Sequence, residues 1–208
     1  MNTRLTFAVA AATAIFASVP AIADQGYTIS NTGTNFTGPY NLGYEFSTAA
    51  PISVTDLGYY APAFTNQPTH DVGLYATDGT LLVSTTVLST DTQDGAFIYK
   101  AITPLNLAAG SYVVDGTDGN GGYQFGLSNF APGAGITIVQ DRYNFNSVLS
   151  YANYSEFSNN PLYYTGANFR YGGVTATPEP GQYAILGIGV FSLAMLAFKA
   201  RRRSSQLA

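Results

Sequence analysis

The chain has 208 residues, a formal net charge of −4, one histidine and no cysteine. This length allows a single domain with short appendages, and the lack of cysteine excludes disulfides, thiol nucleophiles and cysteine-ligated metal sites. Residues 24–176 carry eleven acidic and three basic side chains, too few cations for the surface that nucleic acid requires. We therefore expect no nucleic-acid partner.

Residues 1–23 have the pattern of a secretory signal peptide. Arg4 supplies a positive charge, and an apolar stretch of small residues follows it. Ala21 and Ala23 then stand in the A-x-A arrangement that signal peptidase cleaves. We expect cleavage before Asp24 and export of the remainder. The alternative, a retained membrane anchor, is less consistent with an apolar stretch of this length.

Short runs of β-branched and aromatic residues alternate with glycine- and aspartate-rich turns over residues 24–176. Asp78 and Gly79 form an Asp-Gly pair that is typical of a tight hairpin. No stretch of this region keeps a helical period over several turns. The pattern predicts an all-β fold, a single antiparallel β-sandwich of jelly-roll-like form. The predicted strands are 44–48, 52–60, 70–76, 80–88, 96–102, 110–116, 123–130, 135–140 and 168–171.

Four phrases follow one another between residues 42 and 114. They are Gly-Tyr-x-Phe at 43–46, His-x-Val-Gly-Leu at 70–74, Gly-Thr-Leu-Leu at 79–82 and Leu-x-x-Gly-x-Tyr-Val-Val at 107–114. In this order they resemble a β-sandwich domain of unknown function that recurs in exported bacterial proteins, with a looser similarity at 167–171. The resemblance implies a fold and contact with a ligand or matrix. It implies no established chemistry.

Residues that carry catalysis or bind metal are sparse. His70 is the single imidazole, it opens a predicted strand, and no G-x-S-x-G elbow accompanies it. A glycoside hydrolase would need two carboxylates across a cleft, and no pair of acids is singled out. We expect no catalytic residue, no metal and no cofactor, with a glycoside hydrolase as the remote alternative.

The loop from Asp115 to Asn120 is rich in aspartate and glycine. It lacks the D-x-[DN]-x-[DN]-G register and the distal glutamate of a calcium loop. Ordinary turn chemistry is the preferred interpretation, with Asp115 and Asp118 serving local hydrogen bonding and solubility. Calcium binding by this loop is the alternative.

Tyrosines and asparagines are interleaved between residues 142 and 171. Tyrosine rings stack on the apolar faces of sugars, and amides bond to sugar hydroxyls, so this segment predicts a glycan contact. The alternative is that the tyrosines fill half-buried strand positions. The candidate glycan-contact residues are Tyr143, Tyr151, Tyr154, Tyr163 and Tyr164.

Residues 177–208 have the pattern of a cleavable C-terminal sorting signal. Pro178, Glu179 and Pro180 cannot be helical and are held extended. Residues 183–198 form an apolar stretch that predicts a transmembrane helix of about 24 Å, shorter than a hydrocarbon core of about 30 Å. The positive-inside rule keeps the following cations in the cytoplasm and the domain outside. These cations are Lys199, Arg201, Arg202 and Arg203.

The order Pro-Glu-Pro, apolar helix and arginine cluster resembles the PEP-CTERM sorting signal of exopolysaccharide-producing Gram-negative bacteria. The resemblance implies recognition by an exosortase, removal of the helix and transfer of the domain to the cell surface or extracellular matrix. Expected partners are therefore signal peptidase, exosortase, the membrane in transit and exopolysaccharide. The expected function is that of a non-catalytic structural or interaction protein, and the alternative is a carbohydrate-binding module.

Overall fold

The computed structural model describes residues 23–34, 36–127, 129–155, 162 and 164–173. The sorting motif at 178–180, the apolar segment 183–198, its flanking cations and Tyr163 lie outside these ranges. So does the predicted signal peptide, except for Ala23. Within the described ranges, no helix combines the length and apolar character needed to cross a membrane.

The described residues form twelve β-strands and one short 3₁₀ helix at Ala61–Thr65. Alternating apolar and polar positions, together with β-branched and aromatic residues, account for the longer strands. The strands are β1 (Asp24–Gln25), β2 (Tyr27–Ile29), β3 (Asn41–Thr48), β4 (Ile52–Tyr60), β5 (Thr69–Ala76), β6 (Leu81–Leu88), β7 (Thr92–Asp94), β8 (Phe97–Leu107), β9 (Gly110–Thr117), β10 (Phe130–Pro132), β11 (Ile136–Asn144) and β12 (Ala167–Gly173).

Two five-stranded antiparallel sheets dominate the structure. Their strand orders are β1-β12-β4-β8-β7 and β11-β3-β9-β5-β6, and β10 pairs with β2 in a separate two-stranded ribbon. The large sheets lie against each other, with β8 facing β6 and β12 facing β9. The prediction of an all-β, antiparallel and sandwich-like fold is confirmed.

Aromatic side chains fill much of the space between the sheets. Tyr27 is fully buried and contacts Tyr44 and Phe97 edge-on, with ring centroids 5.1 and 5.0 Å apart. Phe46 and Phe169 bring the two sheets together at 4.5 Å between centroids. Burying large rings removes much apolar area from water, and this supports a core that has no disulfide.

A buried amide connects four strands in this core. Asn168 on β12 donates hydrogen bonds to the Tyr27 carbonyl at 2.9 Å and the Tyr99 hydroxyl at 3.0 Å. Its Oδ1 atom accepts from the Tyr44 hydroxyl at 3.1 Å and from the backbone N–H groups of Tyr27 and Phe169 at 3.3 and 2.9 Å. Because these groups come from β2, β3, β8 and β12, the amide fixes the sheets relative to one another.

The predicted strands match the structure except at one place. Eight of the nine predicted ranges coincide with described strands, and the hairpin at Asp78 and Gly79 is confirmed by the pairing of β5 with β6. The strand predicted at 123–130 is wrong, since Tyr123 and Phe125 make isolated bridges only. Gly126 has a φ of +77°, which turns the chain and stops a continuous strand. Strands β1, β2, β7 and β10 are too short for a sequence period to reveal them.

Candidate functional site

Eight aromatic side chains from separate segments meet at the end of the sandwich where β3 begins and β11 ends. Neighbouring ring centroids lie 5.3 to 6.1 Å apart, in stacked, tilted and edge-on contacts that favour ring pairing. We call this set the aromatic cluster: Phe36, Tyr40, Tyr123, Phe125, Tyr143, Phe145, Tyr154 and Tyr164.

Backbone pairing brings these segments together. In the ladder between β11 and β3, Tyr143 lies opposite Leu42. Beyond the strands the loops pair through single bridges rather than ladders, and further backbone hydrogen bonds, such as that from the Asp118 N–H to the Tyr40 carbonyl, add to them. The bridges join Phe36 to Tyr123, Phe125 to Tyr164 and Tyr143 to Tyr154.

Six rings of the aromatic cluster, together with Leu42, line a cavity of about 140 Å³ that opens to solvent. Its floor is buried, with Leu42 at 1%, Tyr164 at 6% and Tyr123 at 7% exposure. Phe145 at its rim is 69% exposed. Tyr154, 49% exposed, packs beside Phe145 at 6.1 Å between ring centroids but does not line the cavity. The cavity therefore has an apolar base and aromatic walls that a ligand can reach from solvent.

A second, shallower depression of about 430 Å³ adjoins the cavity. We call it the amide groove: Asn144, Phe145, Asn146, Ser150, Tyr151, Asn153 and Tyr154. Phe145 lines both the cavity and the groove, whereas Tyr154 lines the groove only. Asn153 is exposed, so its amide can donate to and accept from a bound polar molecule.

Two buried asparagines shape the loop that forms the amide groove. Asn41 Nδ2 donates to Asn144 Oδ1 at 3.0 Å and to the carbonyls of Asn146 and Val148 at 2.9 Å. Asn144 Nδ2 donates in turn to the Tyr151 carbonyl at 3.0 Å. Buried amides that donate to several carbonyls of one loop hold that irregular loop in one conformation.

Asp118 ties together the two loops that carry Tyr40 and Tyr123. Its carboxylate accepts from the backbone N–H groups of Gly122 at 3.0 Å and Gly38 at 3.4 Å. The Asp118 N–H donates to the Tyr40 carbonyl at 2.7 Å. Burial raises the pKa of Asp118 to about 6, although both N–H bonds act in the opposite direction.

Asp115 holds the loop of the amide groove from below. It is fully buried, and its Oδ2 atom accepts from the Ala152 N–H at 2.8 Å. Burial raises the pKa of Asp115 to about 8. The prediction that Asp115 and Asp118 contribute to solubility is therefore wrong, because both side chains are buried and accept hydrogen bonds from backbone N–H groups. Among the described residues, no group of three or more histidine and acidic side chains is arranged to hold a metal ion.

The tyrosines predicted to contact glycan have different positions. Tyr143, Tyr154 and Tyr164 come together in the aromatic cluster. Tyr151 lies outside the cluster, packs on Tyr75 at 5.7 Å, donates to the Thr77 carbonyl at 2.8 Å and lines the amide groove. Tyr163 lies outside the described residues.

Five members of the aromatic cluster are not among the residues predicted from the sequence. Phe145 lies within the tyrosine- and asparagine-rich segment, and attention to all aromatic residues there would have found it. The other four lie in the loops before β3 and after β9. Some of their ring contacts join residues more than a hundred positions apart, such as Tyr40 and Phe145, and no local pattern indicates such contacts. These four residues are Phe36, Tyr40, Tyr123 and Phe125.

His70 is a core residue. It is 1% exposed, stacks on the Tyr59 ring at 4.2 Å between centroids and meets Phe64 edge-on. Its Nδ1 atom lies 2.6 Å from the Thr117 carbonyl, which assigns the proton to Nδ1. Burial lowers the pKa of His70, so the neutral ring is favoured. His70 therefore serves the packing of the core.

Comparisons with known proteins give one result. Searches of the curated proteins and of the solved structures each returned no match. One family model matches residues 25–171, and it spans every strand from β2 to β11. The chain therefore belongs to the family described as Domain of unknown function (DUF4082).

Proposed function

We propose that this protein is an exported, non-catalytic interaction protein whose domain binds carbohydrate through the aromatic cluster and the amide groove. The observation that carries the proposal is an open cavity with aromatic walls that adjoins a groove with an exposed amide. Sugars present apolar C–H faces and polar edges, so a site that combines rings and amides suits both.

The loops around the site support binding without large rearrangement. Asp118, Asp115 and Asn41 each hold a site loop through hydrogen bonds to backbone groups. A site that is already ordered loses less conformational entropy when a ligand binds. The exposed rings of Phe145 and Tyr154 are then available for stacking at small ordering cost.

The glycoside hydrolase alternative has less support. Among the described residues, neither the cavity nor the amide groove is lined by a carboxylate. The acids whose pKa is raised, Asp115 and Asp118, bind backbone N–H groups beneath the site. A hydrolase needs its two carboxylates on opposite sides of the glycosidic bond.

The strand order supports the jelly-roll-like form of the sandwich. Strands β1-β12-β4-β8 lie in one sheet and β3-β9-β5-β6 in the other, so consecutive strands repeatedly change sheets. On this description β7 and β11 are additions at the sheet edges. The site then forms where the added strand β11 ends beside the first residue of β3.

Export and sorting are the cellular part of the proposal. The signal peptide at 1–23 sends the chain across the inner membrane, and the segment 183–198 anchors it until exosortase acts at the motif 178–180. The domain then reaches the cell surface or the exopolysaccharide matrix, where a carbohydrate ligand is abundant.

Replacing Pro178, Glu179 and Pro180 by alanine should block processing in a host that contains an exosortase. The extended peptide that the protease needs becomes free to join the following helix. Fractionation and mass spectrometry are expected to find the uncleaved protein in the membrane. Release of a normally cleaved domain from this variant would contradict the sorting proposal.

Single Phe145→Ala and Tyr154→Ala substitutions should each weaken glycan binding at least about tenfold, equal to ~1.4 kcal/mol. Both rings are exposed and line the amide groove, so folding should change little and stacking area should be lost. Leu82→Ala removes an exposed apolar side chain from β6 that lines neither the cavity nor the amide groove, and it serves as the control. Glycan-array screening followed by calorimetry measures the effect. Unchanged binding in both the Phe145→Ala and the Tyr154→Ala variant would argue against this site.

A further inference from the structure

The domain's positive charges are all engaged in ion pairs. Lys100 lies 3.2 Å from Asp91, and Arg170 lies 2.7 Å from Asp94. Arg142 binds Glu45, and both side chains are largely buried. These lysine and arginine residues are the only ones between residues 24 and 176. No cation is therefore left over for a ligand in this part of the chain.

Arg142 is the cation nearest to the site in sequence, yet it faces away from it. Successive residues of a strand point to opposite faces, so Arg142 and Tyr143 on β11 diverge. Tyr143 joins the aromatic cluster, whereas the Arg142 guanidinium binds Glu45 on β3. Gln140 donates to the same Glu45 carboxylate at 2.7 Å.

The segments that build the site contain acidic residues and no basic ones. Lysine, arginine and histidine are missing from 31–42, 117–136 and 143–169. Buried beneath the aromatic cluster and the amide groove lie Asp118 and Asp115, and Asp141 accepts a hydrogen bond at 3.3 Å from Ser155 beside Tyr154. Because these segments carry no basic side chain, their side-chain charge is zero or negative at every pH.

An anionic sugar would meet an unfavourable environment here. A uronate, sulfate or phosphate group that leaves water needs a cation or a cluster of N–H donors to offset the loss of hydration. The site offers no arginine or lysine, and the described part of the chain contains no α-helix whose N-terminus could replace them. Repulsion from the acidic body, with eleven acids against three cations, adds to this cost.

We propose that the aromatic cluster and the amide groove select uncharged glycans and discriminate against acidic ones. The inference rests on the proposed carbohydrate binding and specifies its ligand class. In an acidic exopolysaccharide matrix, such a site binds the neutral stretches or neutral polymers only.

Carboxyl reduction provides a matched pair of ligands for the test. A uronate-containing oligosaccharide and its carboxyl-reduced form share length and linkage and differ in charge. Calorimetry with the purified full-length chain, in detergent at pH 7.5 and low salt, should show at least tenfold tighter binding of the reduced, neutral form. The difference should shrink as salt is added, since salt screens the repulsion. Equal or tighter binding of the acidic form would overturn the inference and leave carbohydrate binding intact.

A gain of charge tests the same inference from the protein side. Asn153→Lys places a cation in the amide groove. Asn106→Lys places one at an exposed position of β8, in the other sheet, and serves as the control. The first variant should bind the acidic ligand at least fivefold more tightly than the unmodified chain, and the second should not. An equal gain in both variants would reduce the effect to net charge and overturn the site-specific inference. If neither the unmodified chain nor any variant binds either form of the ligand, the proposed carbohydrate binding is contradicted, and the inference fails with it.

Discussion

Replacing Asn168 by alanine should lower the free energy of unfolding by at least about 3 kcal/mol, because several buried polar groups lose their partner together. The amide bonds to Tyr27, Tyr44 and Tyr99 inside the core. Without it, two tyrosine hydroxyls and the Tyr27 backbone groups remain buried far from water. A cavity the size of the lost amide adds to the cost.

Urea unfolding followed by tyrosine fluorescence or circular dichroism measures this loss. Asn106→Ala, an exposed asparagine on β8, is the matched control and should change the free energy of unfolding by less than about 0.5 kcal/mol. Similar stability of the two variants would show that the Asn168 amide does not hold the sheets together.

The domain should become less stable as the pH rises from 6.5 to 8, by about 2 kcal/mol in free energy of unfolding. The pKa of Asp115 is raised from 3.8 to about 8, so in this window the folded state retains a proton that the unfolded state has released. Stability falls with pH wherever the folded state binds more protons. Asp118, with its pKa raised to about 6, adds to the decline mainly below this window.

Other titrating groups do not reverse this trend. Tyr59 and Tyr75 face Asp115, and burial raises the pKa of both, so they stay neutral. The lowered pKa of His70 opposes the trend below about pH 7, where the unfolded state binds part of a proton that the folded state does not, and this effect is smaller than that of Asp115. Between pH 6.5 and 8 the contribution of Asp115 therefore dominates.

Asp115→Asn should flatten the pH dependence between 6.5 and 8, because a neutral amide has no charge to desolvate and its oxygen still accepts the Ala152 N–H. Asp78→Asn is the control: Asp78 is exposed, its pKa is lowered by hydrogen bonds from Thr80, and its charge is constant over this range. Thermal melts across the pH series give the comparison. A slope that persists in Asp115→Asn would assign the effect to another group.

Local sequence was sufficient for most strands. The hairpin between β5 and β6 depends on Asp78 and Gly79, where Gly79 has a φ of +89° and the Thr80 N–H donates to the Asp78 carboxylate at 2.9 Å. The physical cause lies within four residues, so the pattern is visible without the fold. The failure at 123–130 has a local cause as well, since Gly122 and Gly126 interrupt the alternation with positive φ values.

The candidate site was only partly visible in the sequence. Tyr143, Tyr154 and Tyr164 share one segment with asparagines, and that composition indicated a glycan contact. Tyr151, only three residues from Tyr154, lies against Tyr75 instead. The different positions of Tyr151 and Tyr154 depend on the loop conformation that the side chains of Asn41 and Asn144 hold by hydrogen bonds. These two residues lie on the paired strands β3 and β11, which are far apart in the sequence.

The sequence by itself determined the all-β class, the main strands and turns, and the shortage of cations, because each depends on composition or on neighbouring residues. Only the tertiary structure decided which rings share the cavity and that Asp115 and Asp118 lie buried beneath it. Phe36, Tyr123 and Phe145 belong to three distant segments. Their place in one cluster depends on the register of β11 against β3 and on the isolated bridges beyond the strands. A strand's side chains change faces with each residue, so a shift of one position would have dispersed the aromatic cluster.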